Sequence, residues 1–322
     1  MTAVDTSNVV LSRQLRAQEI ADCTFRGITF LCAGLVLVTM GAILVALAWG
    51  SFPALRAFHF SFFTRDVWNP VTDQFGAIAA IYGTLVTSAI ALLFGVPISF
   101  GIAIFLTELA PSWLRRPIGT AIELLAAIPS IIYGMWGLFV FAPYFAKHYQ
   151  PWMTAHLGDL PLVGALFQGP PLGIGVLTAG LILAVMIIPF ISAIMRDVFL
   201  TVPAVMRESA YSIGATTWEV MWNVVLPYTR TSVIGAIMLG LGRALGETMA
   251  VTFVIGNAHH INPSLFMPGA TISSTIANEF TEAVGDLYYS SLIALGLALF
   301  IVTITVLALA KVMLRRLDLR VR

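Results

Sequence analysis

The chain has 322 residues, of which 59% are hydrophobic and only 10% are charged. Soluble domains carry about 25% charged residues, and the mean hydropathy here is +0.92, so the composition excludes a soluble globular protein and indicates an integral membrane protein. The formal net charge of +1 provides no basic surface for binding nucleic acid. The two cysteines, Cys23 and Cys32, imply neither a disulfide framework nor a metal cluster.

Six apolar runs of about 20 residues follow one another along the chain, and each is long enough to cross a bilayer as a helix. They cover approximately residues 30–49, 83–105, 118–141, 173–195, 232–256 and 291–313. We therefore predict an all-α integral membrane protein with six transmembrane helices. Because residues 1–29 are mixed polar and the first apolar run is long enough to span, we expect no cleavable signal peptide.

The basic residues are distributed unevenly between the two sides of this arrangement. With the N-terminus inside, thirteen of the 17 basic residues fall in inner segments and three in outer segments. This asymmetry predicts that both termini are cytoplasmic. The predicted organisation is then a cytoplasmic N-terminal segment (1–29), a transmembrane domain (30–313) with a long cytoplasmic loop (196–230), and a cytoplasmic C-terminal tail (314–322).

The sequence lacks the usual signatures of catalysis. A phosphate-binding loop needs a lysine directly after a glycine, whereas the only lysines, Lys147 and Lys311, each follow an alanine. All five histidines fall in predicted outer loops, and no H-E-x-x-H pattern occurs. His259 with His260 could bind a metal, but a solvated loop is the favoured interpretation. We therefore expect no catalytic residue, metal site or cofactor in this chain.

Within the long inner loop, the stretch ESAYSIGATTWEVMWNVVLP predicts two short helices. Gly214 can supply the tight break between them, and Thr216 or Thr217 can cap the second helix. Trp218 and Trp222 are four residues apart and therefore share one face of that helix. Such apolar surface on a loop indicates either a protein partner or contact with lipid headgroups, and these two interpretations remain equally open.

Five residues of this loop match a known pattern: Glu208, Ala210, Gly214, Leu226 and Pro227. Their spacing is E-x-A, three residues, G, then eleven residues and L-P, and it resembles the EAA loop of ABC-importer permeases. The resemblance implies a type I ABC-importer permease fold, in which the loop forms the coupling helices that dock in a cleft of an ATPase subunit.

Residues 83–111, 122–143 and 241–257 resemble the permease subunits of the bacterial high-affinity phosphate importers. This resemblance implies phosphate as the cargo and a multi-pass location in the bacterial inner (plasma) membrane. It also implies three kinds of partner: a second permease subunit (PstA-like), two ATPase subunits (PstB-like) that bind ATP and Mg²⁺, and an external phosphate-binding protein (PstS-like).

Two charged residues, Arg243 and Glu247, lie inside the fifth apolar run, where Arg243 is about a dozen residues from either end. Two charges at the bilayer centre cost roughly 5–7 kcal/mol, whereas a helical i, i+4 pair contributes only about 0.3–0.5 kcal/mol. One interpretation is an interhelical ion pair that fixes packing. The favoured interpretation is a translocation pathway in which Arg243 contacts an oxyanion and Glu247 neutralises Arg243 when the pathway is empty.

The leading functional hypothesis is the transmembrane permease subunit of an ATP-driven phosphate importer that works by alternating access. The alternative is a stand-alone ion-coupled anion carrier, although such carriers usually have ten or more spans with inverted repeats. A third hypothesis is an assembly subunit in which the two charges only hold helices together. Recovery of a soluble ATPase on affinity purification, and its loss on mutation of Glu208 or Gly214, would separate the three.

Overall fold

The computed structural model describes residues 3–161 and 163–318, and these residues are mostly helical. The chain divides into two compact units, Met1–Gly50 and Ser51–Arg322. Residues 1–2 of the predicted N-terminal segment and 319–322 of the predicted C-terminal tail lie outside the described residues. The cytoplasmic location of both termini, and the boundaries of the transmembrane domain at residues 30 and 313, stay predictions.

The α-helices in chain order are α1 (Ala3–Phe58), α2 (Ile78–Ile104), α3 (Ser112–Ala126), α4 (Ser130–Trp136), α5 (Ala142–Tyr144), α6 (Gln150–Leu157), α7 (Val176–Leu200), α8 (Ala204–Ser212), α9 (Thr217–Val220), α10 (Leu226–Leu245), α11 (Met249–Ile255), α12 (Ile272–Glu279) and α13 (Asp286–Asp318). Short 3₁₀ or π segments cover His59–Phe63, Phe105–Leu109, Gly137–Phe141, Phe145–Tyr149, Gly164–Phe167 and Met221–Val225. Two strands, β1 (Trp68–Asn69) and β2 (Gln74–Phe75), pair antiparallel.

Among the described residues, five helical runs are long and apolar enough to cross a membrane, and a bent pair of helices makes a sixth candidate. The five runs are Ala21–Phe63, Ile78–Leu109, Val176–Leu200, Thr217–Leu245 and Asp286–Val312. These runs overlap the predicted spans, so the helical membrane fold is confirmed. Two of the predicted spans, however, are not the straight helices that their hydropathy indicated.

The predicted third span, residues 118–141, is broken by a sharp bend. Helix α3 ends at Ala126, and Ser130–Leu157 continues at an angle of 89° to it. Pro129 has the extended backbone angles φ −56° and ψ 135°. Proline also disfavours the helical conformation of the residue before it and offers no N–H to the preceding turn, so it favours a break in the helix at this point. The hydropathy of residues 118–141 gives no indication of this bend.

The predicted fifth span, residues 232–256, does not coincide with one continuous helix. Its helical run begins earlier, at Thr217, and it ends at Leu245. Pro227 lies in the first turn of α10, directly after the π segment Met221–Val225, and the run passes through it without a break. A π segment lets the backbone re-pair around a proline inside a helix. A separate short helix, α11, begins at Met249.

Helix α7 lies at the centre of the larger unit and packs against α2, α10 and α11. The approach to α2 is close at Gly180, where a Cβ atom would lie 2.6 Å from the side chain of Ile90. Small residues allow membrane helices to approach until their backbones nearly touch, because lipid provides little hydrophobic force between helices. Helix α7 is therefore the central element against which the broken helices pack.

A second apolar cluster lies at the predicted outer side and joins the β1–β2 hairpin to α12 and α13. Its ring contacts include Phe75 with Tyr288, stacked at 5.1 Å, and Trp68 with Phe75, edge-to-face at 4.9 Å. Phe62 and Leu292 are fully buried in the same cluster. These side chains hold the outer loops together independently of the helix packing around α7.

Candidate functional site

Arg243 lies in the last turn of α10, where its guanidinium carbon is 5.2 Å from the ring centroid of Phe190 on α7. A cation over an aromatic ring is stabilised by about 0.5–2 kcal/mol. Within the described part of the chain, no carboxylate oxygen approaches the Arg243 guanidinium to within 4.0 Å. Near the end of α10, the cation lies beside the negative end of the helix dipole, which also stabilises it.

Glu247 lies in the break between α10 and α11, and its Oε1 accepts a hydrogen bond of 3.2 Å from the backbone N–H of Ala250. The carboxylate therefore caps the first turn of α11 at the positive end of that helix. The i, i+4 pair with Arg243 does not form, because the helix that would align the two side chains ends at Leu245. Each charge is stabilised by a helix end, and the assignment of both residues to a translocation pathway stays a prediction.

The short helices α4 and α11 pack directly against each other, and each begins just after a break in a membrane helix. Gly134 makes this possible, because a Cβ atom there would lie 3.0 Å from Cα of Ala250. On α4, the Tyr133 hydroxyl donates a 2.9 Å hydrogen bond to the carbonyl of Leu125, across the bend at Pro129. The two breaks thus lie together, next to the end of α10 that carries Arg243.

The inner-loop hairpin, as we call residues 204–225, consists of α8, a turn at Gly214, α9 and the π segment Met221–Val225. Gly214 has φ +92°, and a Cβ atom added there would meet no atom within 4 Å, so its backbone angle, rather than space, requires glycine. The N–H of Ala215 bonds to the carbonyl of Ala210 at 3.1 Å and closes the end of α8. Glu208 is exposed on α8, Leu226 is half-buried and Pro227 is exposed.

The second helix of the hairpin is capped as the sequence suggested, and Thr216 rather than Thr217 is the cap. The backbone N–H of Thr216 bonds to Oε2 of Glu219 at 2.8 Å, and the N–H of Glu219 bonds back to the Thr216 hydroxyl at 3.3 Å. This reciprocal capping box satisfies two free backbone donors and fixes where the helix begins.

The hairpin presents a cluster of exposed apolar side chains. Ile213 is 86% exposed and Trp218 is 65% exposed. The Trp218 and Trp222 rings contact each other edge-to-face at 5.3 Å, which confirms that they share one face. Rings that are held against each other and remain exposed form a ready surface for a partner or for lipid headgroups.

A buried ion pair at the base of the hairpin was not found from the sequence. Arg207 Nη1 on α8 is 2.9 Å from Oε1 of Glu108, at the end of α2. The two residues are far apart in the chain and belong to different predicted elements, so local spacing contains no signal for their contact. The sequence indicates only that Arg207 stands beside the EAA pattern and that Glu108 stands at the predicted inner end of a span.

A second unpredicted cluster surrounds Glu279 at the predicted outer side. Its carboxylate accepts hydrogen bonds from Trp68 Nε1 at 2.5 Å and from the Tyr288 hydroxyl at 2.7 Å, and it pairs with His259 Nε2 at 2.8 Å. Burial acts to raise the pKa of Glu279, but these hydrogen bonds lower it below its ordinary value. The solvated-loop interpretation is therefore wrong for His259, whereas it fits His260, whose side chain is 84% exposed.

These features define a class: a multi-pass helical membrane protein with an exposed hairpin between two membrane helices. The family model described as "Binding-protein-dependent transport system inner membrane component" matches residues 95–322. A phosphate transport system permease protein PstC of Mesorhizobium japonicum is 60% identical, over 95% of this chain and 94% of its own. The PstC of Haemophilus influenzae is 55% identical, over 95% and 97% of the two chains. The chain therefore belongs to the binding-protein-dependent transport family and, within it, to the PstC permeases.

Solved structures agree in fold at low sequence identity. A chain of a bacterial ABC transporter that imports the acidic polysaccharide alginate aligns with a TM-score of 0.58 at 19% identity, over 89% of this chain and 96% of that one. A chain of the inward-facing MetNI methionine ABC transporter aligns with a TM-score of 0.51 at 16% identity, over 76% and 99% of the two chains. The fold is that of type I ABC-importer permeases.

Proposed function

We propose that this chain is the transmembrane permease subunit of an ATP-driven phosphate importer and forms half of its translocation pathway. The cargo is inferred from the relatives, which are named phosphate transport permeases at up to 60% identity over nearly the whole chain. The coupling role is supported by one structural observation above all: the inner-loop hairpin carries exposed tryptophans and is anchored by a buried ion pair.

The proposed complex contains a second permease subunit (PstA-like), two ATPase subunits (PstB-like) and an external phosphate-binding protein (PstS-like). ATP and Mg²⁺ belong to the ATPase subunits, and no residue of this chain takes part in their chemistry. The hairpin docks on one ATPase through Trp218 and Trp222. Aromatic residues are typical anchors of such interfaces, because they bury a large area at small cost in conformational entropy.

In the proposed pathway, Arg243 is the contact for the anion. Its guanidinium is permanently charged and offers a planar set of donors that suits a phosphate oxyanion. The ring of Phe190 and the helix end stabilise it without a strong ionic partner, so the donors stay available to a passing anion. Glu247 supplies negative charge nearby, which limits how tightly the anion is held, since transport requires release as well as binding.

The test is phosphate uptake by the assembled complex carrying Arg243→Gln, with ATPase activity measured in parallel. A hydrogen bond to a charged group contributes about 1.5–3 kcal/mol, so we expect uptake to fall more than tenfold while assembly and ATPase activity persist. The matched control is Arg65→Gln, which removes an exposed arginine whose side chain makes no hydrogen bond or ion pair in the described structure. Loss of assembly with Arg243→Gln would instead assign this arginine to helix packing.

A second measurement distinguishes the ATP-driven importer from the stand-alone ion-coupled carrier. Affinity purification of the wild-type chain should recover a soluble ATPase, and Glu208→Arg on the exposed face of α8 should reduce the recovered amount. A pure single chain that transports phosphate without ATP would overturn the importer assignment and establish the ion-coupled alternative.

A further inference from the structure

A cavity of about 350 Å³ lies between α3 and the C-terminal part of α7. Three of the side chains that line it are arginines, Arg115, Arg116 and Arg196, and the one acidic side chain in its lining is Glu123. We call this cavity the arginine groove. It lies at the ends of α2 and α7 that the distribution of basic residues assigns to the cytoplasmic side, and it is separate from Arg243 and from the inner-loop hairpin.

The arginines of the groove are not equally engaged with the protein. Arg196 Nη2 pairs with Glu123 at 2.7 Å and with Asp197 at 2.8 Å, so its charge is balanced. The Arg115 side chain uses only its Nε, which donates a 2.7 Å hydrogen bond to the carbonyl of Ala110. The side chain of Arg116 makes no hydrogen bond or ion pair with any described residue. The groove therefore has positive charge and guanidinium donors that the protein itself does not use.

The surroundings of the groove are those of a membrane interface. Helix α3 begins three residues after the helical run of α2 ends at Leu109. Trp113, in its first turn, is 74% exposed, and Leu124 and Leu125 are exposed further along the same helix. A short helix with a tryptophan, exposed leucines and adjacent arginines has the composition of one that lies at the boundary between headgroups and acyl chains.

We propose that the arginine groove binds the phosphate group of an anionic phospholipid from the cytoplasmic leaflet. Two guanidinium groups provide the forked donors that match phosphate oxygens, and the hydroxyl of Thr120 provides one more donor in the lining. The exposed leucines of α3 provide apolar surface for the acyl chains. Inorganic phosphate has the same oxygens as the headgroup but no acyl chains to cover this apolar surface. The phospholipid is therefore the occupant that the geometry favours.

The test uses the full importer complex in nanodiscs made from an equimolar mixture of phosphatidylglycerol and phosphatidylcholine. After extraction, native mass spectrometry counts the phosphatidylglycerol molecules that remain bound. One arginine near an anionic lipid surface contributes roughly fivefold in affinity, so Arg116→Gln should reduce retention about fivefold and the Arg115→Gln/Arg116→Gln double variant further. Glu123→Gln removes negative charge from the lining and should increase retention. Arg26→Gln, an exposed arginine on the same predicted side, is the control for general electrostatic attraction and should reduce retention less than Arg116→Gln does.

The outcomes are distinct. Equal retention by wild type and Arg116→Gln overturns the proposal, as does an equal loss with Arg26→Gln. The same variants are then titrated with inorganic phosphate in detergent without phosphatidylglycerol, with the thermal unfolding midpoint as the measurement. If Arg116→Gln abolishes stabilisation by phosphate but leaves lipid retention unchanged, the occupant is free phosphate and the lipid assignment is wrong. Arg116→Gln keeps the Arg115 and Arg196 contacts, so the test does not depend on variants that unfold.

Discussion

Arg207 and Glu108 form an ion pair of 2.9 Å, with side chains only 16% and 6% exposed, that joins the inner-loop hairpin to the end of α2. Arg207 Nη2 also donates a hydrogen bond to the carbonyl of Phe199, near the end of α7. One side chain thus links the first helix of the hairpin to two membrane helices. In the proposed coupling, a force that a partner applies to the hairpin would act on α2 and α7 through this arginine.

We expect Glu108→Gln to weaken this link without abolishing the fold. Removing one member of a buried ion pair leaves an uncompensated charge and costs about 3 kcal/mol. Phosphate uptake by the complex should therefore fall more steeply than its ATPase activity, since hydrolysis no longer moves α2. The exchange Glu108→Arg with Arg207→Glu should recover part of the uptake. Glu282→Gln, at an exposed carboxylate, is the control and should cost less than about 1 kcal/mol.

The turn of the hairpin offers a second test at Gly214. A side chain at φ +92° costs roughly 1–2 kcal/mol, so Gly214→Ala should lower the thermal midpoint and reduce the ATPase that co-purifies with the chain. Gly214→Asn should retain more ATPase than Gly214→Ala, because asparagine tolerates the left-handed region. Gly235→Ala, at a helical glycine with open space around it, should be neutral or stabilising. Equal behaviour of the Ala and Asn variants would contradict the backbone argument.

The contact between α4 and α11 predicts a steric effect at Gly134. An added methyl group would lie 2.9 Å from Cδ2 of Phe253 and 3.0 Å from Cα of Ala250, both closer than van der Waals contact, and overpacking of this kind costs typically about 1–3 kcal/mol. Gly134→Ala should therefore lower the thermal midpoint of the purified complex. Gly101→Ala on α2 meets no atom within 4 Å and should not. An unchanged thermal midpoint in Gly134→Ala would show that α4 and α11 can move apart to accept the methyl group.

The Glu279 cluster predicts a dependence of stability on pH. Because the folded-state pKa of Glu279 is below its ordinary value of 4.5, the ionised carboxylate stabilises the fold above that pH, and this contribution is lost as the pH falls through the lower folded-state pKa. The thermal midpoint of the wild type should therefore decline below about pH 4.5. Glu279→Gln should be less stable than the wild type at neutral pH, and its thermal midpoint should decline less at acidic pH. A parallel decline in both proteins would assign the acid sensitivity to other carboxylates.

The class of protein and most of its helices could be predicted from the sequence, because burial in lipid imposes long apolar runs that hydropathy detects directly. Pro129 is a position at which a membrane helix can kink or hinge, but neither the 89° angle there nor the break at Gly246 could be predicted, since membrane helices also tolerate proline and glycine without breaking. Whether they bend depends on neighbouring helices, here the packing of α4 on α11, and that contact joins residues more than a hundred positions apart.

The candidate functional site, too, could be predicted only in part from the sequence. The EAA-like pattern identified the hairpin because the turn at Gly214 and the cap at Thr216 are local features with fixed spacing. The helical i, i+4 arrangement of Arg243 and Glu247 does not form, because Gly246 ends the helix that it requires, and the role of both residues in a translocation pathway stays a prediction. The partners of Arg207 and Glu279 come from distant segments, and no pattern within one segment could reveal them.

The helical run from Thr217 to Leu245 connects the exposed tryptophans of the hairpin to Arg243 without interruption. At ~1.5 Å per residue, Trp218 and Arg243 are roughly 37 Å apart along its axis. If this rod pivots near its inner end, a tilt of about 5° displaces the guanidinium by roughly 3 Å, which is about the length of one hydrogen bond. An angular change too small to alter the packing of a single helix turn is therefore large enough to make or break an anion contact at the opposite end.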